Sequence, residues 1–289
     1  MPIGTQYKPD DEFKAKARLF QSKYRDEILG VDFQDYGNRL TDSDAKALLN
    51  YYSRLNSRNV LRQRYPNYSR KRDADLLRSE HIPFNLLAPL ATNLEAAASI
   101  IAKAWNIDCS EITLIEIEYA PSPKEEYLND GTAFDTYLNI ILKNGKSCGI
   151  GIEVKYTEQA YPIGKTELIN VQNHNSLYWQ TARASGVFKN PDDEIFGTDE
   201  FRQIWRNHLL GLKMIQTGDV DEFYSITLFP DGNNHFHHVI PKYTSRLKDK
   251  AKPYLIGCTF EKFISSIQGS PEMNEWKEWL NQRYIIKNL

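Results

Sequence analysis

The sequence predicts an α/β or α+β domain, in which helices pack on a sheet. The prediction rests on changes in the spacing of apolar residues along the chain. Apolar residues recur at spacings of three and four as far as residue 105, which is typical of amphipathic helices. From residue 112 to residue 156 they alternate instead, as in half-buried strands. Helical spacing then returns from residue 175, and one more strand pattern follows. The order helix, three strands, helices, strand predicts a layered domain.

Each predicted element has a local signal. Helices are predicted where apolar residues fall on one face: 10–30, a short helix after the capping pattern Thr41–Asp44, 84–105, 175–185, 198–216 ending at Gly218, and a last helix from Pro271. Strands are predicted where the period is two: 112–119, 133–142, 148–156 and 223–229. His235, His237 and His238 are assigned to a strand end and not to a zinc site, because no Cys or acid accompanies them at ligand spacing.

Composition places the chain among ordinary globular proteins. Of its 289 residues 41% are apolar, and 36 Lys and Arg nearly balance 38 Asp and Glu, so the net charge is −2. This excludes a uniformly basic nucleic-acid coat but leaves room for a local basic groove. Cys109, Cys148 and Cys258 lie far apart, which argues against a disulfide framework or a zinc knuckle. With no long apolar run, we expect a cytoplasmic protein that does not cross a membrane.

A basic segment stands out between Tyr51 and Arg78. It holds eight Lys or Arg against two acids, with four tyrosines between them. One interpretation is an arm that contacts phosphates, for which Arg62, Arg64 and Lys71 are the candidates. The other is a solvated helix face with a loop around Pro66, and charge alone favours neither. The shift in composition predicts an N-terminal helical, basic extension over residues 1–78 that packs on a domain of residues 79–289.

The strands at 133–142 and 148–156 form a predicted hairpin whose register can be derived. Even-numbered residues supply the apolar face: Phe134, Leu138, Ile140, Leu142, Ile150, Ile152, Val154 and Tyr156. Opposed residues share a face, so the numbers of each pair must add to an even sum. A three-residue loop with Gly145 in the left-handed conformation pairs Leu142 with Lys146 and meets that condition. In this register Asp135 lies opposite Glu153.

The second face of the hairpin therefore carries Asp135, Glu153 and Lys155, and Gly149 and Gly151 are expected to leave space above the sheet. Paired carboxylates have Cβ atoms about 4.5–5.5 Å apart, and at that separation their repulsion raises one pKa unless a cation lies between them. Mg²⁺ suits the gap, since it accepts one or two carboxylates plus waters and phosphate. Lys155 could hold a water or the scissile phosphate. The alternative is a solvated surface hairpin.

Asp135 followed by Glu153-Val154-Lys155 resembles the signature of the PD-(D/E)XK nuclease superfamily. The resemblance implies a restriction-endonuclease-like αβββαβ core, a central mixed sheet flanked by helices, over roughly residues 79–230. It also implies Asp135, Glu153 and the Val154 carbonyl as ligands of Mg²⁺, for which Mn²⁺ would substitute, and Lys155 as the catalytic lysine. Segments 79–86 and 131–135 resemble a bacterial group of restriction-endonuclease-like proteins within it. Phe134 replaces the motif's proline, and no tyrosine stands four residues after Gln180.

Further residues are candidates by position. Glu80 is either an extra catalytic acid or a charge that favours the following helix N-terminus. Gln180 is a candidate catalytic residue on the helix after the third strand. Three arginines on the two helices that follow that strand are candidates for phosphate contacts: Arg183, Arg202 and Arg206. Arg202 and Arg206 lie away from the apolar side of their helix, so a solvated polar face is the alternative for them.

The leading interpretation is a Mg²⁺-dependent nuclease, endonuclease or exonuclease, that hydrolyses DNA, with a restriction or defence role. A DNA-binding or assembly module that keeps the fold without turnover is the alternative from another class. Against it stands the intact set of Asp135, Glu153 and Lys155. RNA is not excluded as the substrate, and the oligomeric state is open, a homodimer included.

Overall fold

The computed structural model describes residues 3–160 and 163–286 of the chain. Its strands are, in chain order, β1 Phe33–Gln34, β2 Tyr36–Leu40, β3 Cys109–Tyr119, β4 Phe134–Leu142, β5 Ser147–Val154, β6 Glu222–Phe229 and β7 Leu255–Thr259. β1 and β2 form a separate small hairpin, and the other five form one sheet in the order β3-β4-β5-β6-β7. β3, β4 and β5 pair antiparallel, whereas β6 and β7 continue the sheet in parallel with β5. The sheet is therefore mixed, as predicted.

Twelve α-helices are described around the sheet and in the N-terminal part. They are α1 Glu12–Lys23, α2 Asp42–Lys46, α3 Ser57–Arg64, α4 Arg70–Asp73, α5 Ile82–Leu86, α6 Leu94–Trp105, α7 Lys165–Gln172, α8 Leu177–Ser185, α9 Arg202–Thr217, α10 Asn234–Thr244, α11 Phe260–Ser266 and α12 Pro271–Tyr284. One π-helical segment, Tyr24–Leu29, continues α1. Short 3₁₀ segments lie at Ala88–Thr92, Lys124–Glu126, Glu194–Gly197 and Asp249–Tyr254.

Two element predictions are wrong. The single helix expected over 84–105 is broken, because Pro89 lies in the first turn of a 3₁₀ segment, and the Asn93 side chain then caps a new helix by accepting from the Ala96 N–H at 3.0 Å. The histidine cluster lies in helix α10 and not at a strand end. The residues buried in that helix recur at helical spacing and not at the alternating spacing of a strand: Phe236, Val239, Ile240 and Tyr243.

The sheet separates two cores. Leu138, Ile150 and Ile152 face the first core, which includes residues of α5, α6, α11 and α12. Tyr137 and Phe223 face the second, which is covered by α8, α9 and α10. Gly149 and Gly151 do not leave open space above the sheet as predicted. A Cβ on either would lie within 2.7 Å of an aromatic ring atom, so the glycines admit packed rings.

The predicted hairpin register is confirmed. Ile140 pairs with Cys148, and the Leu142 N–H donates to the Lys146 carbonyl at 2.9 Å. Gly145 has φ of 85°, the left-handed conformation that the three-residue loop requires. Phe134 is the exception to the predicted face, because its ring packs in the second core above Gly151.

The N-terminal segment shares the first core with the sheet. The Gln21 amide donates to the Tyr156 hydroxyl at 2.6 Å, and Arg283 of α12 donates to Asn50 at 2.7 Å. These groups are buried, so they tie residues before 78 to the middle and end of the chain. The boundary at residue 78 stays a prediction. The three cysteines are free and buried. Among the described helices, none has the length and apolarity needed to cross a membrane.

Burial of His208 predicts a loss of stability in acid. Its Nδ1 lies 3.0 Å from the Tyr243 hydroxyl, and burial lowers the pKa of His208 to about 4. As pH falls, His208 is protonated in the unfolded chain before it is protonated in the folded protein. The free energy of unfolding therefore decreases between about pH 6.5 and 4, and by about 2 kcal/mol at pH 5. Urea unfolding at pH 7 and pH 5 should show a smaller difference in the free energy of unfolding for His208→Gln than for the wild type. The exposed His237 gives the control, and an equal pH effect in His237→Gln and His208→Gln would contradict this assignment.

Candidate active site

Three acidic residues lie in a row across three strands. β4 pairs Thr136 with Ile117 on one side and with Ile152 on the other. The same registers place Glu118 and Glu153 on either side of Asp135, at the end of the strands remote from the Gly145 turn. We call Glu118, Asp135 and Glu153 the acid row. Like charges in neighbouring strand positions repel one another, so the arrangement favours a bound positive charge.

Asp135 is fixed at the centre of the acid row. Its Oδ2 accepts a hydrogen bond from the Val154 N–H at 2.6 Å. Burial raises the pKa of Asp135 well above its usual range, and Glu153 and Glu118 raise it further, while Lys155 opposes them. The carboxylate therefore lies where its charge is disfavoured unless a cation is close.

Both carboxylate oxygens of Glu153 are engaged. The Lys155 ammonium donates to Oε1 at 2.5 Å, and the Asn207 amide donates to Oε2 at 2.6 Å. Lys155 is 5% exposed, and its backbone N–H donates to the Leu228 carbonyl of β6 at 2.8 Å. The lysine is thus held beside Glu153 by main chain and side chain together.

Glu118 belongs to the site although sequence reasoning missed it. Burial raises the pKa of its carboxyl, Arg64 lowers it, and Glu153 raises it. Its φ of 59° is left-handed, which is uncommon for a residue other than glycine. The Arg64 guanidinium donates to the Glu118 carbonyl at 2.6 Å. No local sequence signal marks it, because its place opposite Asp135 follows from the pairing of β3 with β4.

Comparison with known families agrees with this geometry. A family model described as PD-(D/E)XK nuclease superfamily matches residues 8–286, nearly the whole chain. The chain belongs to the PD-(D/E)XK nuclease superfamily. Neither a curated protein nor a solved structure matches it. The five-stranded mixed sheet with flanking helices is the restriction-endonuclease-like fold that the sequence predicted.

The residues present fit the divalent metal that PD-(D/E)XK nucleases typically use. In the described parts of the chain, no three His, Cys, Asp or Glu side chains form a metal cluster by themselves. Mg²⁺ does not need one, because it keeps several waters and binds through one or two carboxylates and substrate phosphate. Asp135 and Glu153 could supply those carboxylates. Burial first and the charge of Glu153 second raise the pKa of Asp135, and a positive charge there would oppose both effects.

Glu80 lies at the margin of the site. It occupies the turn before α5 and pairs with Arg78 at 3.0 Å and with Lys71 at 3.7 Å. It is close enough to Glu118 to raise the pKa of that carboxyl. No hydrogen bond joins it to Asp135 or Glu153 among the described residues. Its catalytic role stays a prediction.

The structure does not bring Gln180 to the superfamily motif. Its side chain is exposed on α8, and its amide donates to the Asn175 carbonyl at 2.6 Å. The reason is packing, because α8 lies on α9, and α9 lies on β5 and β6. The helical amide that reaches the motif is therefore Asn207 of α9, which sequence reasoning missed.

The predicted phosphate-binding cations fall into different places. Arg202 is 2% exposed, and its guanidinium lies 3.0 Å from both Glu167 and Asp199. Both sequence interpretations of Arg202 are therefore wrong, because a buried ion pair leaves it no surface for a phosphate. Arg206 is partly buried, 3.5 Å from Glu167. Burial would lower the pKa of Arg206, but Glu167 and, more weakly, Glu153 raise it above its ordinary value.

The remaining cations differ in their distance from the acid row. Arg64 contacts Glu118, and Lys71 pairs with Glu80. Arg62 is exposed on α3. Arg183 donates to Asp192 at 2.7 Å and to the His174 carbonyl at 2.8 Å. We call Arg64, Lys71 and Arg206 the cationic rim, since Arg64 contacts Glu118, Lys71 contacts Glu80, and Glu153 is close enough to raise the pKa of Arg206.

Proposed function

We propose that this protein is a Mg²⁺-dependent nuclease that hydrolyses DNA phosphodiester bonds, as restriction or defence enzymes do. The observation that carries the proposal is the complete set of Asp135, Glu153 and Lys155 at one end of the sheet, where Lys155 donates to Glu153 and Asp135 accepts from the Val154 N–H between them. A fold that no longer cleaves would have no need of two adjacent carboxylates at a place where burial and mutual repulsion both raise the pKa of Asp135.

The residues have distinct roles in the proposed reaction. Asp135, Glu153 and the Val154 carbonyl would hold the divalent cation, which when bound stabilises charge on the phosphate and lowers the pKa of water. The Val154 N–H keeps Asp135 in place. Lys155, held at Glu153, is within reach to donate to the attacking water or to a phosphate oxygen. In the reaction the water oxygen bonds to phosphorus and the bond to the leaving oxygen breaks in line.

The cationic rim supports a nucleic-acid substrate. It brings positive charge near Glu118, Glu80 and Glu153 although the chain as a whole carries a net charge of −2. Local charge, and not the total, determines where a phosphate backbone binds. DNA is the proposed substrate, and cleavage assays with DNA and with RNA test this choice.

Cleavage assays test the proposal directly. Purified protein is incubated with supercoiled plasmid, linear duplex, single-stranded DNA and RNA, each in Mg²⁺, Mn²⁺ or EDTA. We expect DNA cleavage in either metal and none in EDTA. Cleavage of RNA alone would replace DNA as the substrate. Metal-independent binding of DNA with no cleavage of any substrate would contradict the nuclease proposal and support the non-catalytic alternative.

A second prediction concerns the cationic rim. In Arg64→Glu/Lys71→Glu, DNA binding measured in Ca²⁺ should weaken, and the slope of log affinity against log salt should fall by roughly one unit for each lost phosphate contact. Lys143→Glu is the matched control, because Lys143 follows the far end of β4, about 8 residues or roughly 26 Å from Asp135. An unchanged slope in the double variant would return these residues to the solvated-face interpretation.

A further inference from the structure

A small cavity lies beside the Glu153–Lys155 pair, between β5, β6, α9 and Phe236 of α10. Its volume is about 10 Å³, and its polar lining consists of Glu153, Lys155, Gln203, Asn207, Ser225 and Thr227. A cavity of this size has room for one water molecule, and polar walls are the condition under which such a cavity is filled. Glu153 and Lys155 are in its wall, so its contents affect the motif.

At this cavity the Asn207 side chain makes a hydrogen bond through one of its two polar atoms and not through the other. It is 5% exposed, its Nδ2 donates to Glu153 at 2.6 Å, and its Oδ1 is buried without a hydrogen-bond partner among the described residues. Reversing the amide would turn its oxygen towards a carboxylate, which accepts but cannot donate, so the orientation is determined by Glu153. A buried acceptor of this kind requires a donor.

The β6 strand supplies further partners for a water. Thr227 pairs with Glu153 in the parallel register, and Ser225 pairs with Gly151. Both side chains line the same cavity as Asn207. Each hydroxyl can donate or accept, so a water there could donate to the Asn207 Oδ1 and bond to one or both hydroxyls. That gives the two to four partners typical of a buried water.

We propose that Asn207 is a positioning residue that holds Glu153 through Nδ2 and, through Oδ1, one ordered water shared with Ser225 and Thr227. The proposal rests on the proposed nuclease function for its consequence, since a bond from Asn207 to Oε2 fixes the orientation of the carboxylate that would bind the cation. Groups that orient a metal ligand commonly change metal affinity or activity about 10–100-fold when removed.

Removing the amide tests the positioning role. In Asn207→Leu we expect Mn²⁺ affinity, measured by calorimetry, to fall about 10–100-fold. We also expect kcat to fall while KM for DNA stays unchanged, because no phosphate contact is lost. Gln216→Leu is the matched control, since it makes the same kind of change nine residues further along α9, about 13.5 Å at 1.5 Å per residue. Should the leucine variant not fold, Asn207→Ala is measured instead.

A crystal structure of the wild-type protein at high resolution tests the water separately. We expect one water within hydrogen-bond distance of the Asn207 Oδ1, and its loss in Thr227→Val, which keeps the Asn207–Glu153 contact. An empty cavity would overturn the water site. Wild-type Mn²⁺ affinity in a folded Asn207→Leu protein would overturn the positioning role while leaving the nuclease proposal intact. Absence of Mn²⁺ binding and of cleavage in the wild type would overturn both.

Discussion

Glu153→Gln should reduce DNA cleavage by about a thousandfold or more while the protein stays folded and binds DNA. Glutamine keeps the shape of the side chain and can still accept from Asn207, but it loses the charge proposed to hold the cation. Metal ions contribute several kcal/mol of transition-state stabilisation, and each 1.36 kcal/mol is a factor of ten in rate. The loss should therefore appear in cleavage and not in binding measured in Ca²⁺.

Stability should change little in Glu153→Gln, because two effects oppose each other. The substitution removes the repulsion between Glu153 and Asp135, which stabilises the fold. It also removes the ion pair between Glu153 and Lys155, although Lys155 is still attracted to Asp135. Glu111→Gln is the control, since Glu111 is an exposed residue of β3 that pairs with Ile141 at the other end of the sheet. Cleavage by Glu153→Gln at the rate of that control would exclude the motif as the active site.

The hairpin that carries the motif could be predicted from the sequence because every signal in it is local. Alternating apolar residues define one face, and the turn at Gly145 fixes the pairing of the two strands. Together they place Asp135 beside Glu153, as the structure has it. Phe134 departs from the pattern because the strand begins there and a ring can occupy the space above Gly151.

The rest of the site depends on contacts that no local pattern records. Glu118 reaches the acid row through the β3–β4 pairing, which contains two register shifts near the start of β3. Asn207 reaches Glu153 because α9, and not α8, lies on the sheet, a choice made by packing of the second core. Arg202 is buried by Glu167, 35 residues earlier in the chain. Spacing along the sequence predicts none of these three placements.

Asp135→Asn should abolish cleavage and yet make the metal-free protein more stable. An asparagine oxygen can still accept from the Val154 N–H, while the buried charge and its repulsion from Glu153 disappear. The folded-state pKa of Asp135 is raised, so below the ordinary pKa near 3.8 the carboxyl is protonated in both the folded and the unfolded wild type. At that pH no buried charge destabilises the fold. The destabilisation grows as pH rises through the raised value, so stability is lost towards higher pH. In EDTA the advantage of the variant should be largest at pH 8 and shrink in acid.

Metal should reverse this order of stability. A ligand that binds only the folded state stabilises it by about 2.7 kcal/mol at a hundredfold excess over its Kd. Mn²⁺ should therefore raise the melting temperature of the wild type and raise that of Asp135→Asn much less. Asp108→Asn is the control, because Asp108 is an exposed partner of Lys143 beside the Gly145 turn, and it should behave as the wild type. If Asp135→Asn melts below the wild type in EDTA at pH 8, the hydrogen bond to Val154 and the attraction of Lys155 outweigh the repulsion. The electrostatic argument that the acid row requires a cation would then fail.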